Sequence, residues 1–223
     1  MREGFHLQLF GLGEYSAAMC QLTSIALRDA TQALLNADLS LAEQVIAMDT
    51  QLDQMQSKGE QVAVGLLALQ APVARDLRIV VCALRIVADL HRMGVLAIHV
   101  ANAARRRHPA RVVPSDARPF IERMSRIGVQ LADQAEAVLR SEDLAAARRL
   151  RVDDDVMDGL QRDLYHHVLA PGWRHGVAAA VDIALLARFY ERFADHAVSV
   201  AHQVVYLVTG ETPYPPGNRI TLD

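Results

Sequence analysis

The stretch ERFADHAVSVA, Glu191 to Ala201, falls on HRMGVLAIHVA, His91 to Ala101, when the chain is shifted by 100 residues, with Arg92/Arg192, Ala97/Ala197, Val100/Val200 and Ala101/Ala201 in register. A second correspondence needs a shift of 105. It lays ADLSLAEQVIAMDTQLD (37–53) over EDLAAARRLRVDDDVMD (142–158) and aligns Asp38/Asp143, Leu39/Leu144, Ala42/Ala147, Asp49/Asp154 and Asp53/Asp158. Self-similarity at a long fixed period marks a duplicated supersecondary unit. The offset changes by five because the later connection is shorter, so the chain reads as two tandem units: 1–108, a linker at 109–115, a second unit at 116–210 and a flexible tail at 211–223.

Within each unit, apolar residues recur at spacings of three and four, the pattern of amphipathic helices, and strand-like alternation is absent. Breaks at Asn36-Ala-Asp38, Gln70-Ala-Pro72, His108-Pro109 to Ser115, Ser141-Glu-Asp143 and Ala170-Pro-Gly172-Trp predict helices near 3–35, 39–69, 72–107, 116–140, 144–169 and 176–208, with Pro72 placed in a first helical turn. The fold class is all-α: two three-helix bundles in tandem, built of six long antiparallel helices stabilised by shared apolar stripes. One stripe runs Leu41, Val45, Met48, Leu52, Met55 and Gly59; another runs Ile183, Leu186, Tyr190, Phe193 and Ala197.

The 223 residues carry a formal net charge of −3, which argues against a nucleic-acid partner. Two cysteines, Cys20 and Cys82, lie in apolar surroundings with no metal-ligand spacing and read as reduced core residues. The N-terminal residues lack a signal-peptide h-region and no window suits a membrane span. The reading is a cytoplasmic protein that reaches a membrane only through partners.

Chemistry concentrates in carboxylates spaced by four: Asp154 and Asp158 on the fifth helix, Glu191 and Asp195 on the sixth. Like charges at i and i+4 share a face and repel. If the two helices are antiparallel neighbours, four carboxylates converge and a hard or borderline cation relieves them. The alternative is a solvated or ion-paired surface, with Arg162, Arg188 and Arg192 as counter-ions. In the first unit Asp49 and Asp53 repeat the first pair, but His91 and Val95 stand where Glu191 and Asp195 do, so the second unit is the preferred site. Asp89 faces elsewhere from His91. The only Glu-x-x-His is Glu3 to His6, against a ferritin-like di-iron bundle. HExxH, a phosphate loop and GxSxG are all absent.

FYERFADHAVSVA together with ALQAPVARDLRIVVCALRIVADLHRMG (68–94) resembles the PhoU family of bacterial phosphate-uptake regulators, over nearly the whole chain and including the duplication. The family pattern near ERIGDHAVNIA is matched by Glu191, Arg192, Asp195, His196, Ala197 and Val198, and the polybasic run at 105–108 is similar to mycobacterial members. The resemblance implies a dimeric cytoplasmic regulator with no reaction of its own. It restrains the phosphate-starvation response by linking the phosphate ABC transporter, through its ATPase or membrane components, to a sensor histidine kinase, and it limits phosphate import. It also implies metal at the ExxxD element, with iron, zinc, manganese and magnesium as the candidates. A carboxylate-bound metal hydrolase or metal-storage bundle is the rival reading. For partner docking the candidates are Arg75, Asp76 and Arg78 of ARDLR, with Arg92 and Arg192. Arg105, Arg106 and Arg107 either complement a helix dipole or meet an acidic surface.

Overall fold

The computed structural model describes residues 2–211, with side chains from residue 7 onward; the tail expected at 211–223 and the pair Glu3 and His6 fall wholly or partly outside the described side chains. Six helices and no strand occupy the described residues: α1 (Arg2–Asn36), α2 (Leu39–Gln70), α3 (Ala74–Arg107), α4 (Arg118–Ser141), α5 (Leu144–Leu169) and α6 (Gly176–Thr209).

The repeat is written into the turns. Ala37 and Glu142, 105 residues apart, both take the left-handed conformation (φ 55° and 52°) that closes a helix. Each is followed by a capping aspartate. Asp38 accepts from the Leu41 amide, and Asp143 accepts from the amides of Ala145 and Ala146, satisfying donors that a helix start leaves unpaired. Two expected starts move. Pro72 is not in the first turn of α3: Ala71 ends α2 in the left-handed region, Val73 is extended, and the helix begins at Ala74, because a residue preceding proline is barred from continuing a right-handed helix. α4 begins at Arg118 and not at 116, with Pro119 in its first turn, where the missing amide N–H costs nothing; Asp116 lies in the turn before it, against His167 and His175.

α1, α2 and α3 pack on one another, as do α4, α5 and α6; α1 lies against α4 and α3 against α6, which leaves α2 and α5 on the outside. One continuous apolar core runs through all six helices, with Leu27, Leu52, Leu90, Met93, Ile121, Met124, Leu131, Leu150, Tyr190 and Phe193 fully buried. Small residues allow the close crossings. A Cβ on Gly94 would meet the Leu52 side chain, and one on Gly128 would lie 2.8 Å from Leu27. Several buried polar groups are paired across helices: the hydroxyls of Thr31 and Tyr190 lie 2.7 Å apart and Ser24 donates to Asp133 at 2.6 Å. Cys20 and Cys82 are free and buried, and burial pushes both thiols up.

The contact of α3 with α6 repeats itself about its middle. Asp89 accepts from Ser199 at 2.7 Å and lies 2.9 Å from His196 Nδ1. The residues 100 positions away make the mate of this contact, with His99 stacked on Phe189 at 5.2 Å between ring centroids. Asp89 thus faces α6 whereas His91, two residues on, faces α2.

Candidate metal centre

α5 and α6 are joined by the short 170–175 connection and pack along their length, so they run antiparallel and bring Asp154 and Asp158 beside Glu191 and Asp195. Glu191 is buried, Asp154 is half-buried, and Asp158 and Asp195 reach solvent. The four groups feel one another. Asp154 is pushed up to about 7, first by burial and then by the charges of Asp195, Asp158, Glu191 and Asp155. Burial is also the leading cause of the raised Glu191 and Asp195 carboxyls, followed by Asp195 for the one and Asp158 for the other. Asp195 keeps contact with water, yet the protein crowded around it removes enough hydration to disfavour its charge.

Of the three arginines expected nearby, one pairs with a carboxylate. Arg188 donates from Nη1 to both oxygens of Glu191, at 2.5 and 2.7 Å, and opposes the rise of Glu191. Arg162 turns to the backbone carbonyl of Asp158 at 3.3 Å, and Arg192 is exposed. No three His, Cys, Asp or Glu side chains among the described residues are gathered around one metal-sized point. The four carboxylates supply oxygen donors only, which suits a hard cation.

The first half builds a different object at the same place. His91 Nε2 lies 2.7 Å from Asp53 Oδ1, a largely shielded imidazole against an exposed carboxylate. Asp49 is exposed and Val95 half-buried. The two register shifts already contained this pair, since they align His91 with Glu191 and Asp53 with Asp158.

The docking candidates scatter. Arg75 is exposed and bonds Glu142 at 2.6 Å. Arg78 is half-buried and donates to the Leu207 carbonyl at 3.2 Å, tying the start of α3 to the end of α6. Asp76 lines a cleft with Arg75, and Arg92 and Arg192 are exposed on α3 and α6. In the basic run, Arg105 reaches Glu43 at 3.6 Å and Arg107 bonds Asp182 at 2.9 Å through Nε, while Arg106 is exposed. A cluster the sequence did not announce joins the linker to the α5–α6 turn: Asp116 lies 3.2 Å from His167 and 3.0 Å from His175, with Trp173 packed edge-on to both imidazoles. Its members are 51 and 59 residues apart, beyond any local pattern.

Residues 17–104 and 121–204 each match the PhoU domain. Among curated proteins, the phosphate-specific transport system accessory protein PhoU homolog 2 of Mycobacterium tuberculosis is 50% identical over 213 residues, covering 96% of this chain and 100% of its own length. The PhoU homolog 1 of Mycobacterium leprae is 49% identical over 222 residues, 98% of this chain and 100% of its own. Among solved structures, PhoU from Pseudomonas aeruginosa superposes with a TM-score of 0.84 at 26% identity, over 93% of this chain and 100% of that one. The phosphate transport system regulatory protein PhoU from Streptococcus pneumoniae has the same TM-score at 24% identity, over 93% and 98%, and supports the fold. These relatives bear the names of accessory and regulatory proteins, not of enzymes. No helix among the described residues is long and apolar enough to cross a membrane.

Proposed function

The chain belongs to the PhoU family, and on that premise we propose that it is a cytoplasmic accessory protein of phosphate-specific transport that holds down the phosphate-starvation response when phosphate is plentiful. Its partners in this reading are the sensor histidine kinase of the phosphate two-component system and the ATPase or membrane components of the phosphate ABC transporter, contacted as a homodimer. The observation that carries it is the near-complete, 50% identical match to a named accessory protein of phosphate-specific transport. Exposed Arg92 and Arg192 are the residues free to meet partners, whereas Arg75 is paired with Glu142 and Arg78 acts first as an internal tie between α3 and α6.

The carboxylate surface of the second half is the protein's cation site in this reading. Asp154, Asp158, Glu191 and Asp195 would hold the ion, and the burial and mutual repulsion that raise three of them are what a bound cation would relieve. An all-oxygen set suits magnesium, manganese or iron better than zinc. The ion supplies charge neutralisation that braces α5 against α6, a structural or sensory role. Arg188 already neutralises Glu191 and so weakens its pull on a cation.

Deleting the gene and measuring secreted alkaline phosphatase in phosphate-replete cells tests the regulatory reading. Constitutive activity, silenced by restoring the intact gene, is the expected result. Normal repression in the deletion strain, with any close paralogue also removed, would refute it.

A further inference from the structure

The two ends of the bundle are built alike and filled differently. At the end where α1 and α3 finish and α4 and α6 begin, the connection 108–117 crosses the helix tips and buries Val112, Val113 and Ala117 in the main core. It is pinned there by His108 Nδ1, 3.1 Å from the Ala37 carbonyl, by Arg118, which donates to the Leu35 carbonyl at 2.9 Å, and by Asp116 between His167 and His175.

The internal repeat carries this end onto the opposite one. The finish of α1 maps to that of α4, with Ala37 on Glu142; the finish of α3 maps to that of α6; and the start of α6 maps to that of α3. At the opposite end those same elements, with the N-terminal part of α1, enclose a cleft of about 470 Å³. Its walls include Leu9, Leu12, Ile79 and Leu207, and its rim carries the Arg75–Glu142 and Arg140–Glu14 pairs. The size and the apolar interior with a few polar groups at the mouth are those of a binding cleft.

The segment after α3 plugs the first end. The segment after α6 leaves from the edge of the cleft, because Leu207 lines it and Glu211 is four residues further on. The two segments share one local feature: Val113-Pro114 and Tyr214-Pro215 each put an apolar body directly before a proline, one residue out of the register of 100 that relates α3 to α6. We propose that the cleft is the binding site for the chain's own residues 212–216, TPYPP, with Tyr214 entering it as Val112 and Val113 enter the core at the other end. Three residues beyond Glu211 span at most about 10 Å, enough to enter a cleft that α6 itself borders. The apolar walls accept the ring, and the carboxylates of the rim give the phenol O–H the partner it needs when buried. A segment seated there covers Asp76 at the start of α3.

The test is a pair of cysteines in the chain with its tail, Pro216→Cys with Leu139→Cys, which keeps Tyr214, compared with Pro216→Cys with Val156→Cys on the remote α5. The buried native thiols stay in place. Under mild oxidation the cleft pair is expected to close an intramolecular disulfide, a monomer lighter by two hydrogens, at least about tenfold faster than the remote pair, since tethering raises effective concentration only where the geometry can be met. Pro216→Cys with Ile79→Cys is a second cleft pair, in case the Leu139 variant loses its helical circular dichroism. Equal rates for cleft and remote pairs would overturn the proposal. So would linkage found only between two chains, which would give the cleft to a second copy, or no linkage in either folded cleft pair.

Discussion

The two halves of this chain place the same helices around the same crossing and put opposite electrostatics on them. On α2 and α3, Asp53 meets His91 across 2.7 Å, a carboxylate matched with a hydrogen-bonding ring nitrogen. On α5 and α6 the aligned positions hold Asp158 and Glu191, joined by Asp154 and Asp195, and burial together with neighbouring negative charge raises Asp154, Glu191 and Asp195. The first arrangement is complete by itself; the second is strained by its own charge and is relieved by a cation or by protons. A duplicated scaffold has kept its packing and divided its chemistry.

Packing gives the largest expected effect. Gly94 sits where α3 crosses Leu52 of α2, and its counterpart in the second half is Ala194, buried on α6. Gly94→Val forces side chain into side chain and is expected to lose about 3 kcal/mol in denaturant unfolding, in the upper range for overpacking a core. Ala194→Gly, the reverse exchange, should lose about 1 kcal/mol through helix propensity. Equal losses would mean the two crossings are not distinct.

Next comes the cation. At about a hundred times its dissociation constant, a metal bound only to the folded chain adds about 2.7 kcal/mol. Thermal melts with and without Mn²⁺ are expected to show a rise in Tm that Asp154→Asn removes and that Asp53→Asn leaves intact. Arg188→Ala should strengthen the rise by removing the charge that neutralises Glu191.

A smaller effect is expected from protons in metal-free protein. The folded chain holds the Asp154 proton up to about pH 7, whereas an unfolded aspartate releases it near about 3.9. Between those values the native state binds more protons, so the contribution of this group to stability falls as pH rises through 7 and is flat above. Asp154→Asn should therefore stabilise the metal-free protein at pH 8, by roughly 1–2 kcal/mol after allowance for solvent and relaxation, and flatten the pH profile of unfolding. A variant that is less stable at pH 8 would show that its charge is not a burden. The smallest effect belongs to the first half: Asp53→Asn at a partly exposed pair should change stability by no more than about 1 kcal/mol.

Helix positions and the register of the halves are legible because they rest on local pattern: the apolar spacing of α2 and α6, and the capping Asp38 and Asp143 at matching turns. The convergence of Asp154 and Asp158 with Glu191 and Asp195 is legible too, since a short connection makes α5 and α6 antiparallel neighbours. Which arginine claims Glu191 is not. Arg162, Arg188 and Arg192 all lie within reach by spacing; Arg188 bonds Glu191 while Arg162 turns to the Asp158 carbonyl. The Asp116 cluster and the cleft beside Leu207 are hidden for another reason: each is made by chain ends and turns that meet only after the halves have packed. The start of α3 escapes the sequence because Pro72 reads equally well as a first-turn residue and as the stop that bends the chain before it.

The most direct measurement of the division between the halves is the metal content of the purified protein after equilibrium dialysis against Mn²⁺. Bound metal is expected in the intact chain, lost in a variant with Asp154→Asn and Asp195→Asn and retained in one with Asp53→Asn and His91→Ala. Metal retained by the first variant and lost by the second, or none bound to the intact chain, would contradict that division.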